Sequence, residues 1–92
     1  MSEAKKNDEG KLRYDLIPPV ALRELAAVYT IGAKKYGDNN WKKGLSKERI
    51  LAAMMRHFEQ YRDEEDIDEE NGQYHMASVA WGAFALLWYD LT

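Results

Sequence analysis

The stretch Met76-Ala77-Ser78-Val79-Ala80-Trp81-Gly82-Ala83-Phe84-Ala85-Leu86-Leu87-Trp88-Tyr89 carries no charge, and only Ser78 and Gly82 fall outside the apolar set. Its apolar residues lie on every side of a helix instead of forming one stripe, which is the pattern of a helix enclosed by other protein. At 14 residues the run falls short of the roughly 18 to 20 needed to cross a bilayer, so it does not predict a membrane span. The helix is expected over residues 73–89. Ser78 and Gly82, with Ala77, Ala80, Ala83 and Ala85 nearby, permit close approach of a neighbouring helix.

Two more helices are legible upstream. Pro18-Pro19 suits a first helical turn, where a missing amide hydrogen leaves nothing unpaired. Leu22, Leu25, Tyr29, Ala33 and Tyr36 then recur at spacings of three and four, and Gly37 is placed to end the helix in a left-handed conformation. This predicts a helix over 18–36, with Gly32 either a local weakness or a point of close contact. Ser46 reads as the cap of a second helix, with Glu48 in its first turn. That helix is expected from 47 to the low 60s. Its inner face is Ile50, Met54, His57 and Tyr61, flanked by Leu51 and Phe58. Asn71-Gly72 reads as the turn before the third helix.

The expected fold is therefore all-α, a small bundle of three main helices. Ninety-two residues and 10.7 kDa allow one core. Residues 1–10 are read as a flexible polar tail and 11–92 as a single helical domain. Two helices cannot cover every side of the third, and the remainder would be an apolar patch of the kind that marks an interface. A homodimer or homotetramer is expected. The absence of cysteine excludes disulfides, thiolate zinc sites and a cysteine nucleophile. With a polar start and no signal-peptide pattern, the expectation is a cytoplasmic protein.

Charge is divided along the chain. Residues 1–62 hold all 13 Lys and Arg against 8 acids, a balance of +5, whereas residues 63–92 hold 8 acids and no Lys or Arg. A general nucleic-acid binder needs a net basic surface, so stable nucleic-acid binding is not expected. Holding a divalent cation together with a polyphosphate needs both signs of charge. Asp63-Glu64-Glu65-Asp66-Ile67-Asp68-Glu69-Glu70 places seven carboxylates in eight residues. It is either a solvated loop or, since a cation would relieve the repulsion, a metal site. If the second helix ran one turn further, Glu65 and Asp68 would continue the face of His57. The only other histidine, His75, comes beside the same acids once the second and third helices pair antiparallel.

Residues 34–43, Lys-Lys-Tyr-Gly-Asp-Asn-Asn-Trp-Lys-Lys, are either an exposed turn whose Trp41 plugs the bundle end or a nucleotide pocket. Lysine meets phosphate as a point charge, the Asn40 amide reads a base or sugar edge, and Tyr36 or Trp41 stacks on a base for roughly 1–3 kcal/mol. Lys11, Arg13 and Asp15 are further candidates from the preceding segment. No nucleophile elbow and no glycine-rich phosphate loop is present.

The order Gly10-Lys11-Leu12-Arg13-Tyr14-Asp15-Leu16-Ile17-Pro18, Gly32-Ala33-Lys34-Lys35-Tyr36-Gly37 with Asn40-Trp41, Arg56-His57, residues 65–72 and His75 resembles the phage and bacterial dATP/dGTP diphosphohydrolase domain. That family looks like a branch of the MazG-like all-α nucleoside triphosphate pyrophosphohydrolases. The resemblance implies a MazG-like bundle that binds Mg²⁺, or Mn²⁺ or Co²⁺ in its place, and hydrolyses a (deoxy)nucleoside triphosphate to monophosphate and pyrophosphate. The Glu-x-x-Asp element of that family is matched by Glu65 and Asp68, whereas its Glu-x-x-Glu partner on the preceding helix has no counterpart. His57, His75, Glu64 and Glu70 are the candidates to complete the metal shell. Glu65 or Glu64 would accept the proton of the attacking water, and Lys34, Lys35 and Arg56 would steady the phosphates. Ser78 and Gly82 stand where relatives carry histidine and asparagine. The competing reading is a non-catalytic helical interaction protein with an acidic docking edge.

Overall fold

In a computed structural model that describes residues 4–92, three helices follow one another: α1 (Pro19–Tyr36), α2 (Lys47–Arg62) and α3 (His75–Leu91). The described residues contain no strand, only an isolated antiparallel bridge between Ile67 and Tyr74, and the fold is all-α. Short 3-10 turns at Tyr14–Leu16 and Asn40–Lys43 precede α1 and α2. None of the described helices is long and apolar enough to cross a membrane.

Local chemistry accounts for the helix ends. Pro18 is extended and caps α1, whose first residue is Pro19. Gly37 ends it at φ 94°, ψ 156°, a positive-φ conformation outside the left-handed helical region and open essentially to glycine alone. Ser46 caps α2, its hydroxyl accepting from the Arg49 N–H at 3.4 Å. α2 stops at Arg62 and does not gain the extra turn that the His57 face suggested. Carboxylates massed at the negative end of a helix dipole oppose its extension, and Glu64 instead turns the chain at φ 65°.

Beyond that turn the chain doubles back on itself. The Asp68 N–H donates to the Gln73 carbonyl at 2.8 Å and the His75 N–H to the Asp66 carbonyl at 2.9 Å. Gly72 supplies the turn at φ 73°. Because Tyr74 is extended and committed to this bridge, α3 begins at His75, two residues later than the sequence pattern suggested.

α3 is the central element, packing on both α1 and α2. Gly82 marks its closest approach to α2, where a Cβ would stand 2.5 Å from Met54 Cγ. Gly32, by contrast, faces open space and is not a contact point. Leu25, Ile50, Ala77 and Ala85 are the buried apolar residues. Of the residues expected on or beside the inner faces, Leu22 and Tyr36 on α1 and Leu51, Phe58 and Tyr61 on α2 lie exposed. The accessible surface is 7947 Å², against about 5500 Å² for a compact monomer of this mass. The radius of gyration, 16.9 Å, likewise exceeds the ~12 Å of a compact chain of this length.

Candidate metal centre and adjoining cleft

The loop that reverses the chain brings three of the sequence candidates together. One donor atom each from His57, Asp68 and His75 lies within 4.8 Å of the others. His57 comes from the inner face of α2, Asp68 from the bridged loop and His75 from the first turn of α3. His75 is completely buried and Asp68 is 9% exposed. Such burial is costly for polar groups without partners, and each has one. His75 Nε2 lies 3.3 Å from Glu65 Oε1; an ionised carboxylate only accepts, so Nε2 carries the hydrogen. That leaves the lone pair on His75 Nδ1, which faces His57 Nδ1 at 2.9 Å. Asp68 Oδ1 accepts from the Glu70 N–H at 2.9 Å. Burial holds the His57 pKa below its ordinary value, with His75 and Arg56 adding to the effect and Asp68 opposing it.

The other acidic candidates stand around this trio. Glu65 contacts His75 and is not one of the three converging donors. Glu64 occupies the exposed turn. Glu70 offers its backbone to Asp68, and its exposed side chain borders a hollow of about 640 Å³ shared with Arg56, His57 and Asp68.

A second, larger space, a cleft of about 1000 Å³, lies between α1 and α2 with Trp81 of α3 among its lining. Lys35, Tyr36, Asn40, Trp41 and Arg56 border it. Lys34 does not, and neither do Lys11 and Arg13. Arg13 is engaged by Asp15 at 2.7 Å on the surface, which raises the Arg13 pKa and lowers that of Asp15 through their hydrogen bond. Trp41 has a structural setting: its ring meets Tyr29, Trp81, Trp88 and Tyr89. The Tyr89 hydroxyl donates to the Trp41 carbonyl and accepts from the Leu45 N–H at 3.0 Å. Trp41 therefore plugs the bundle end as well as bordering the cleft. Arg49 is a cleft residue that sequence reasoning passed over. Its signal was the spacing Arg49, Ala52, Ala53, Arg56, which puts two guanidiniums and two small residues on one face of α2.

Arg56 borders both spaces, so the cleft and the hollow beside the histidine cluster share this residue. The chain is 41% identical over 83 residues to a dATP/dGTP diphosphohydrolase of Salmonella phage PMBT28, an alignment covering 90% of this chain and 28% of the relative. The chain thus spans little more than a quarter of that relative's length. No solved structure matches it. Residues 1–92 match the family described as dATP/dGTP diphosphohydrolase, N-terminal, and the chain belongs to that family.

Proposed function

We propose that this domain hydrolyses a (deoxy)nucleoside triphosphate, of the dATP/dGTP class named for its phage relative, to the monophosphate and pyrophosphate, using a divalent cation held by His57, Asp68 and His75. The observation that carries the reading is the position of Arg56, which borders both the cleft and the hollow beside the cluster. A nucleotide lying in the cleft would direct its phosphates past Arg49 and Arg56 toward the three donors. A cation bound there would neutralise phosphate charge and acidify a bound water. Lys35 and the two arginines supply positive charge along the path, where charge-assisted contacts to phosphate are strong. Tyr36, 68% exposed, offers an open ring for base stacking, whereas Trp41 is engaged by four aromatic neighbours. Glu64, on the exposed turn, is the proposed acceptor of the proton from an attacking water, since Glu65 is engaged by His75.

The deciding experiment incubates the protein with each dNTP and a divalent metal ion and measures pyrophosphate release. Turnover that Asp68→Asn and Glu65→Gln both suppress supports the hydrolase. Absence of turnover with every nucleotide and metal overturns it in favour of an interaction domain.

A second copy of the chain is the proposed cover for the outer face of α3. Phe84, Leu87 and Leu91, each 47% exposed or more, recur at helical spacing and border neither of the two spaces described. Light scattering on the size-exclusion peak is expected to give a multiple of the 10.7 kDa chain, reduced to the monomer mass by Leu87→Glu with helical circular dichroism retained. A wild-type monomer, or an assembly indifferent to Leu87→Glu, overturns this.

A further inference from the structure

From the donor set of the cluster we infer that its ion is a first-row transition dication, in the range Mn²⁺ to Zn²⁺, and not Mg²⁺. This deepens the hydrolase reading by naming the ion class of the same site. Mg²⁺ takes oxygen ligands and keeps several waters, whereas the converging atoms here are two imidazole nitrogens and one carboxylate oxygen. Imidazole suits Mn²⁺, Fe²⁺, Co²⁺ and Zn²⁺, and two histidines with one carboxylate leave coordination positions open for water or a phosphate oxygen.

The spacing agrees. Two nitrogens each about 2.1 Å from one ion stand about 3 Å apart at right-angled coordination, and the Nδ1 atoms of His57 and His75, 2.9 Å apart through a hydrogen bond that His57 donates, reach that arrangement once the His57 hydrogen moves to Nε2. The surrounding contacts agree as well. By accepting from His75 Nε2, Glu65 fixes the tautomer whose Nδ1 lone pair faces the site, the carboxylate–histidine–metal arrangement that orients metal-binding imidazoles. The Glu70 N–H holds Asp68 Oδ1 in the same way. Glu65 is thus a positioning residue. The nearby exposed carboxylates raise the local concentration of any dication without discriminating between them, so the choice of ion falls to the two histidines.

The test needs no nucleotide, so it can fail independently of the hydrolase reading. Untagged protein is titrated with Co²⁺, Mn²⁺, Zn²⁺ and Mg²⁺ by calorimetry, and the visible absorption of the Co²⁺ complex is recorded. The chain has only two histidines and no cysteine, so nitrogen ligation seen in that spectrum comes from His57 and His75. One Co²⁺ per chain is expected, bound at least a hundredfold more tightly than Mg²⁺. His57→Gln, at a half-buried position, should abolish the Co²⁺ bands while circular dichroism is unchanged. Glu65→Gln should weaken binding about 10- to 100-fold while leaving the bands in place. Equal affinity for Mg²⁺ and Co²⁺, or Co²⁺ binding unaffected by His57→Gln, overturns the inference.

Discussion

Gly82 of α3 and Met54 of α2 meet so closely that a Cβ on the glycine would lie 2.5 Å from Met54 Cγ and 2.7 Å from its sulfur. The absent side chain is what lets the two helices that carry His57 and His75 come together. Gly82→Ala would gain up to about 1 kcal/mol of helix propensity but force the methionine out of its position, and overpacking typically costs about 1–3 kcal/mol. The expected net result is a loss of about 1 kcal/mol in urea denaturation. Met54→Ala should cost less in the Gly82→Ala background than alone, and strict additivity of the two changes would contradict the close contact.

The Tyr89 hydroxyl ties the end of α3 to the turn that carries Trp41. Tyr89→Phe removes a donor to the Trp41 carbonyl and an acceptor from the Leu45 N–H, at about 0.5–1.5 kcal/mol for each bond. A lower thermal midpoint with altered tryptophan fluorescence is expected. Unchanged melting would mean that water replaces both bonds without loss.

His57 makes apo stability depend on pH. Its folded pKa lies below that of the free side chain, first because of burial and then because of His75 and Arg56. Above about pH 6.5 the imidazole is neutral in both states and its contribution is fully present. As pH falls below that value the unfolded chain takes up a proton that the folded chain resists, so stability declines until the folded pKa is passed. Thermal midpoints measured from pH 7.5 to 5 should fall, and His57→Gln should flatten that part of the profile. Metal uptake should weaken over the same range, because protons compete for the ligating nitrogens.

The cleft separates the basic residues into two groups. Arg49→Ala and Arg56→Ala each remove a charged donor worth about 1.5–3 kcal/mol, and should raise the KM for a dNTP by about ten- to a hundredfold. Lys11→Ala and Arg13→Ala, outside the cleft, should change it less than twofold. A large effect of Lys11→Ala would place the phosphates elsewhere.

The helices were legible because their determinants are local: Pro19 at the start of α1, Gly37 at its end, Ser46 before α2, and an uninterrupted apolar run in α3. The proximity of His57 and His75 was legible for the same reason, since an antiparallel pair of helices with a short connection leaves little choice. The path between them was not. Helical periodicity carried Glu65 and Asp68 onward as another turn of α2, whereas backbone pairing around Ile67 and Tyr74 delivers Asp68 by a reversal that leaves no periodic trace. The outward position of Tyr36 and Tyr61 was also illegible, because an apolar residue at the right spacing reads as internal whether or not the protomer has anything to set against it. Arg49 escaped because alanines and arginines make no hydrophobic stripe.

The donors His57, Asp68 and His75 all come from one helical hairpin, the outermost pair eighteen positions apart. Closing so short a loop loses little chain entropy, and none of the three donors comes from α1. The cleft needs the first helix docked as well. The histidine cluster and the cleft thus draw on different helices, and loss of the first would take away one wall of the groove while leaving both imidazoles on the remaining hairpin.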